Sequence, residues 1–331
     1  MAGARARDLF AAAGARVLIT GASGFAGSWL CRACAAAGDD VVALSRRGTA
    51  PAGCGRGVAV DLRDAGAVTA VVRSVAPDVV YHLAALTSVG RSWERPAETL
   101  ADNSASSVNL LEALRACGSR ATVVWVSSCE VYGEPAVLPA GEESPLQPAN
   151  PYAVSKAGAE LLAQVYAEAY GLDIVRARPF SHSGPGQLPI FLLSNLARQA
   201  AEGRRAGVSH LQVVTGNPDT RRDFCDVRDV VAAYRLLAAG SASLPHRVYN
   251  VSSGRSVSAR EQVELLAELV APIEVDLVVD PARVRAHEVM DLRGDSSRLT
   301  TDTGWSPRIA LRQTMLDTIA WWEQQLAGSA R

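Results

Sequence analysis

Apolar residues recur in two rhythms along the first half of this chain. Short runs such as RVLIT at 16–20 and TVVWVS at 122–127 are rich in Val and too brief for helices. Between them the apolar positions return at helical spacing. The strand-like runs fall at 16–20, 40–44, 57–60, 77–82, 122–127 and 172–178, and the helical stretches at 25–37, 64–75, 97–116 and 151–170. That alternation predicts an α/β fold. Parallel neighbours need crossover helices, and right-handed crossovers cover both faces, giving a doubly wound parallel sheet.

The rhythm lapses after residue 178. RPFSHSGPGQLP, at 178–189, is crowded with turn formers, and the later elements lose their regular order. DVRDVVAAYRLLAAG (226–240) and RVYNVSS (247–253) are expected to rejoin the sheet, while the remainder builds a smaller α/β lobe that binds substrate. The expected organisation is an N-terminal extension at 1–15, a first lobe at 16–178 plus 225–251, and a second at 179–224 plus 252–331. No internal repeat interrupts it.

Composition narrows the classes. With 331 residues, 48% apolar and 20% charged, the chain can bury a substantial core. A net charge of −1 without a basic block gives nucleic-acid binding no electrostatic support. Apolar runs such as ATVVWV (121–126) fall far short of the ~20 residues a membrane span needs. The Ala- and Arg-rich opening reads as an extension on a cytoplasmic protein, with an amphipathic targeting segment as the alternative. Cys31 and Cys34 form a C-x-x-C inside a predicted helix, with no second pair to make a zinc or redox motif, so no metal is expected.

The glycines carry the first chemistry. Gly21-Ala22-Ser23-Gly24-Phe25-Ala26-Gly27 follows a strand and opens a helix. Gly21 permits the tight turn, Gly24 a close approach of backbone N–H groups to a pyrophosphate, and Gly27 close helix–strand packing. This is a Rossmann-type dinucleotide site, with Ser23 and Phe25 in the same turn. At the end of the second strand, where an NAD site places an acid, stand Ser45, Arg46 and Arg47. A hydroxyl and two guanidinium groups suit a 2′-phosphate, so NADP(H) is expected, with NAD(H) possible. Asp61, followed by Leu62, is placed either to accept from an adenine amino group or to cap the next helix.

The second constellation rests on a compositional oddity. Among 33 basic residues, Lys156 is the only lysine. Arg serves every surface role here, but it cannot replace a compact ammonium. Lys156 lies four positions after Tyr152, hence on the same helix face. In that pairing the ammonium is expected to lower the Tyr152 pKa and to bind the nicotinamide ribose, with Tyr152 as acid or base. Ser128, at the end of its strand, would fix the substrate oxygen.

TGASGFAG, VYHLAA, SSCEVYG and NPYAVSK, in this order, resemble the extended short-chain dehydrogenases that act on nucleotide sugars. Within them, HLAALTSVGRSW, RPFSHSGPGQ and TRRDFCDVRDVVAAY most resemble GDP-4-keto-6-deoxy-mannose reductases, with GDP-mannose 4,6-dehydratases as neighbours. The resemblance implies a nucleotide-diphosphate sugar as substrate. It implies Leu83, Ala84 and Ala85 on the nicotinamide side, Thr87 and Ser88 in a sugar-facing loop, and Arg222 and Arg285 on the diphosphate. Ser181 departs from the family's usual Asn and leaves the particular sugar open. Glu130 divides the reaction types, because a dehydratase needs a carboxylate there while a 4-ketone reductase does not. A 4-epimerase and a non-catalytic dinucleotide sensor are the alternatives, the latter needing the glycine turn alone. The resemblance also implies a homodimer through a four-helix interface made by 97–116 and 151–170, with Ala157, Leu161, Leu162 and Val165 on its surface.

Overall fold

In the first strand, β1 (Arg16–Thr20), Val17 and Ile19 face one layer of helices while Leu18 faces the other, and all three are buried. Strands buried on both faces belong in the middle of a layered sheet. The computed structural model, which describes residues 14–284 and 288–328, places β1 there. It is flanked by β2 (Asp40–Ser45) and β3 (Arg56–Ala59) on one side and by β4 (Val79–His82), β5 (Thr122–Val126) and β6 (Ile174–Pro179) on the other. β10 (Val248–Val251) closes that edge, so the order is β10-β6-β5-β4-β1-β2-β3 and every pairing is parallel.

Helices α1 (Phe25–Ala36) and α7 (Val227–Gly240) cover one face. Leu30, Cys31 and Cys34 meet Val230, Tyr234 and Leu237 over Val17, Val124 and Val175. The other face carries α2 (Ala65–Val75), α4 (Pro96–Ala116) and α5 (Pro151–Tyr170), with Val68, Leu110, Leu114 and Ala163 against Leu18, Val80 and Trp125. Both segments expected to rejoin this layer do so, α7 as a covering helix and β10 as an edge strand.

The remaining elements build a separate apolar cluster. α6 (Leu192–Ala206), α8 (Ala259–Val270) and α10 (Leu311–Gly328) bury Leu196, Leu266 and Ile319 beside the parallel pair β8 (His210–Thr215) and β12 (Glu274–Val279). A second sheet joins β7 (Ser181–Ser183), β9 (Arg221–Asp226), β11 (Ser256–Ser258) and β13 (Asp291–Leu292). A short helix, α9 (Ser297–Thr303), packs Leu299 against the main core.

The structure departs from the sequence reading most at two places on the fourth strand and after it. A one-turn helix, α3 (Val89–Glu94), stands where no element was expected, capped by Ser88 accepting from the Arg91 N–H at 3.3 Å. The fourth strand begins at Val79 rather than Pro77, since proline has no N–H to give the ladder. Residues 1–13 of the N-terminal extension, and Arg285, lie outside the described residues. Among the described residues no helix is long and apolar enough to cross a membrane.

Candidate active site

The carboxyl ends of β1, β2, β4, β5 and β6 open into one crevice of about 590 Å³. Its first wall is the glycine turn. Gly21 has φ +69°, and a Cβ there would stand 2.9 Å from the Ala84 nitrogen. Gly27 is tighter still, since a Cβ would lie 2.2 Å from the Gly21 carbonyl oxygen. Turn and helix thus press together as only glycine permits. Gly24 begins α1 with no side chain on the leading N–H groups and no acid in the first turn. Ser23, Gly24 and Phe25 line the crevice. A helix start bare of side-chain acceptors fits a pyrophosphate.

At the adenosine end the expectations are partly redirected. Arg46 and Leu62 line the crevice, but Arg47 is not among its lining residues. Ser45 lines the crevice too, and its hydroxyl also serves its own turn, accepting from the Thr49 N–H at 3.0 Å. Asp61 does line the crevice, yet it does not cap α2. That role belongs to Asp64, which accepts from the Ala67 N–H at 3.0 Å. Asp61 instead takes the Arg63 guanidinium at 2.6 Å, which holds its carboxyl down at about 2.

The reacting centre gathers Ser128, Glu130, Tyr152 and Lys156 along the crevice. Asn150 sets their geometry. Its Oδ1 accepts from the Ala153 N–H at 2.8 Å and starts α5, with Pro151 in the first turn. Its Nδ2 donates to Glu130 at 2.9 Å. Tyr152 and Lys156 then fall on the buried face of α5. Lys156 donates to the Val126 carbonyl, and burial lowers its pKa to about 8 against the opposing pull of Glu160. Burial, with the same ammonium nearby, holds His82 near 3, so that ring is neutral.

Tyr152 departs from expectation. Burial pushes its phenol above the usual value, and the neighbouring Ser128 hydroxyl pulls partly back. The Lys156 ammonium is directed at the Val126 carbonyl at the floor of the same crevice. A phenol held protonated is an acid. Ser128 also accepts from the Glu130 N–H at 3.2 Å, so it caps the turn Cys129–Tyr132 while lining the crevice.

Leu83, Ala84, Ala85, Thr87 and Ser181 line the crevice as well. Ser88 does not; it is the cap of α3. Arg222 is directed at backbone, donating to the Arg221 and Val289 carbonyls at 2.8 Å each. Several lining residues escape a reading of the sequence, among them Asn103, His182, Phe191 and Tyr234. Asn103 ties the Leu86 loop to α5, accepting from the Leu86 N–H at 2.7 Å and donating to Ser155 at 2.8 Å. A lone amide on the buried face of a long helix is its one signal.

A glycine turn at the start of a Rossmann helix, facing Ser128, Tyr152 and Lys156 across one crevice, defines the short-chain dehydrogenase/reductase class. A family model described as GDP-mannose 4,6 dehydratase matches residues 18–318, and the chain belongs to that family. It is 42% identical over 253 residues to the GDP-6-deoxy-D-mannose reductase of Pseudomonas aeruginosa, covering 76% of this chain and 82% of that one. It is 32% identical over 314 residues to a UDP-glucose 4-epimerase of Mycolicibacterium smegmatis, covering 92% and 97%. The solved structure of RMD from Pseudomonas aeruginosa complexed with NADPH superposes with a TM-score of 0.81 at 36% identity, covering 94% of this chain and 99% of that one. The enzymatic reading and the fold both stand on these likenesses.

Proposed function

We propose that this protein is an NADP(H)-dependent reductase of the C4 ketone of a nucleotide-diphosphate 4-keto-6-deoxy-hexose. The observation that carries the reading is the buried Tyr152 phenol sharing one crevice with Ser128, Lys156 and the glycine turn. The guanosine diphosphate and the 6-deoxy sugar come from likeness to the reductase named above. NADP(H) is favoured by Arg46 on the rim and by the likeness to an NADPH complex.

When bound, the dinucleotide supplies the hydride. Ser128 donates a hydrogen bond to the ketone oxygen, and Tyr152 gives that oxygen its proton as the carbon becomes an alcohol. Lys156 remains largely charged at pH 7 and balances the negative charge that Tyr152 is left with. Gly21, Gly24 and Gly27 hold the dinucleotide's pyrophosphate, and the family resemblance assigns the substrate's diphosphate to Arg222 and Arg285.

Glu130 supports a second reading, as a 4,6-dehydratase. It lines the crevice close enough to raise the Tyr152 pKa, and Asn150 fixes one of its oxygens. Such a carboxylate can take a proton from C5. Stoichiometric loss of NADPH absorbance with a 4-keto sugar supports the reductase. Turnover of a hydroxy sugar on tightly held cofactor without net NADPH loss rejects it in favour of a reaction that returns the hydride internally, a 4,6-dehydratase or a 4-epimerase.

We further infer two lobes with the boundaries given above, supported by the separate apolar cluster around Leu196 and Ile319. A homodimer through α4 and α5 is the proposed assembly. Val154, Leu161 and Val165 are exposed in one stripe on α5, with Leu100 and Val108 exposed on α4. Ala157 and Leu162 do not belong to that stripe, because both pack inward. Leu161→Arg should convert dimer to monomer in sedimentation; an unchanged mass rejects the interface. Six cysteines free of disulfides support a reducing, cytoplasmic setting.

A further inference from the structure

Three charged side chains stand together on the crevice wall away from the reacting centre, Asp61 and Arg63 after β3 and Asp102 on α4. An exposed ion pair usually contributes little. This one is built more closely. Arg63 Nη2 lies 2.6 Å from Asp61 Oδ2, while Nε and the Arg63 backbone N–H each reach Oδ1 at 3.0 Å. On the far side of the guanidinium, Nη1 is 3.3 Å from one Asp102 oxygen and 3.4 Å from the other. Asn109, two turns along α4 from Asp102, donates to the Leu62 carbonyl at 2.9 Å. Segment 61–63 is thus fastened to one face of α4 at two heights.

A count of lone pairs shows what the grip leaves over. An ionised carboxylate offers about four acceptor sites. At Asp61, Oδ1 takes the N–H and Nε, and Oδ2 takes Nη2 with a longer share of Nε at 3.2 Å. One site remains, on Oδ2. It belongs to a side chain that is 41% exposed and lines the crevice. The planar fork fixes the plane of the carboxylate and hence the direction of that last lone pair. The same grip keeps the group ionised, with its pKa held at about 2, so it can only accept.

We propose that Arg63 is a positioning residue for the cofactor: it turns Asp61 so that the remaining acceptor meets the exocyclic amino group of adenine, and Asp102 holds Arg63 in that pose. This assignment rests on the dinucleotide reading above. Arg63 selects the base by acting through Asp61, without touching it. A base lacking that amino group gains nothing from the arrangement.

Equilibrium binding of NADP+ and of its purine analogue to the full-length protein tests the assignment. The analogue carries hydrogen in place of the adenine amino group and is otherwise the same. The parent should prefer NADP+ by about tenfold, the worth of a hydrogen bond to a charged acceptor. Arg63→Met should cut that preference below about threefold by weakening NADP+ alone. Arg63→Lys keeps the charge but not the fork, and should lose the preference as well. If the parent binds the two ligands alike, Asp61 is not turned to the base and the assignment is overturned. Full preference retained in Arg63→Met overturns it too, because Asp61 then needs no help. Equal losses for both ligands overturn it by making Arg63 a brace for the fold. Failure of the parent protein to bind NADP+ at all would instead remove the dinucleotide reading beneath it.

Discussion

Arg178 closes on Glu160 with two nitrogens, Nη2 at 2.6 Å and Nε at 3.0 Å from the same carboxylate oxygen. Both side chains are almost wholly buried, at 6% and 1% exposure. Ser127 donates to the other oxygen at 2.5 Å. From Arg178 the chain of bonds runs through the Tyr132 hydroxyl at 2.9 Å to Asn250 at 2.7 Å. The pair therefore pins the helix of Tyr152 and Lys156 to β6 and, through Asn250, to β10. Arg178→Met should cost about 3–5 kcal/mol in urea unfolding, because it strands a buried carboxylate. Glu160→Met/Arg178→Met should recover most of that loss. A single-variant cost below about 1 kcal/mol would mean that the pair does not hold the layer together.

Tyr152→Phe removes only the acid. Turnover should fall about 10²- to 10⁴-fold while NADPH affinity stays within about threefold, read by stopped-flow absorbance and by fluorescence titration. Substantial activity in this variant would take Tyr152 out of the mechanism.

Lys156 gives the protein a pH-dependent stability of defined sign. Its pKa drops from an ordinary value of 10.5 to about 8 on burial. Between those values the unfolded chain holds the extra proton, so folding becomes more favourable as pH rises through that window. Relative to Lys156→Met, the parent should gain up to about 3 kcal/mol of unfolding free energy from about pH 8 to about pH 10.5. The comparison between the two proteins cancels every other titration. A difference that falls with pH would contradict the burial argument.

Gly27→Ala forces a methyl against the Gly21 carbonyl, 2.2 Å from the new carbon. Since that neighbour is backbone, the turn must deform. Binding of 2′,5′-ADP should weaken by at least about tenfold, whereas Gly158→Ala, with open space around its Cβ, should leave it unchanged. Calorimetric titration of both variants separates the two outcomes.

Arg46→Ala should weaken NADPH about tenfold and leave NADH as it was. Arg47→Ala should do neither, because Arg47 is not on the crevice wall. Equal effects of the two substitutions would favour a diffuse electrostatic role over contact with a 2′-phosphate.

The parts of the site legible in the sequence are those fixed by local chemistry. Gly21 and Gly27 are readable because no other residue survives a positive φ or a 2.2 Å contact. Pro151 to Tyr170 is readable because Asn150 caps it and Gly171 ends it. Asp61 is ambiguous, since Asp64 sits three residues on and either carboxylate fits the pattern of a cap. Lys156 stands out by composition, but its effect on Tyr152 depends on where the ammonium points, which spacing on a helix does not determine. His182, Phe191 and Tyr234 come from β7, the approach to α6 and α7, segments far apart in the chain, and each looks like core or turn until the layers are assembled.

The solitary, enclosed Lys156 has a practical consequence. A reductively alkylating reagent, which takes amines alone, finds a single side-chain target in these 331 residues. Because burial brings that nitrogen close to half-neutral near pH 8, it is nucleophilic under mild conditions whenever the reagent can reach it. The mass added per chain then becomes a direct gauge of how much of the crevice is filled.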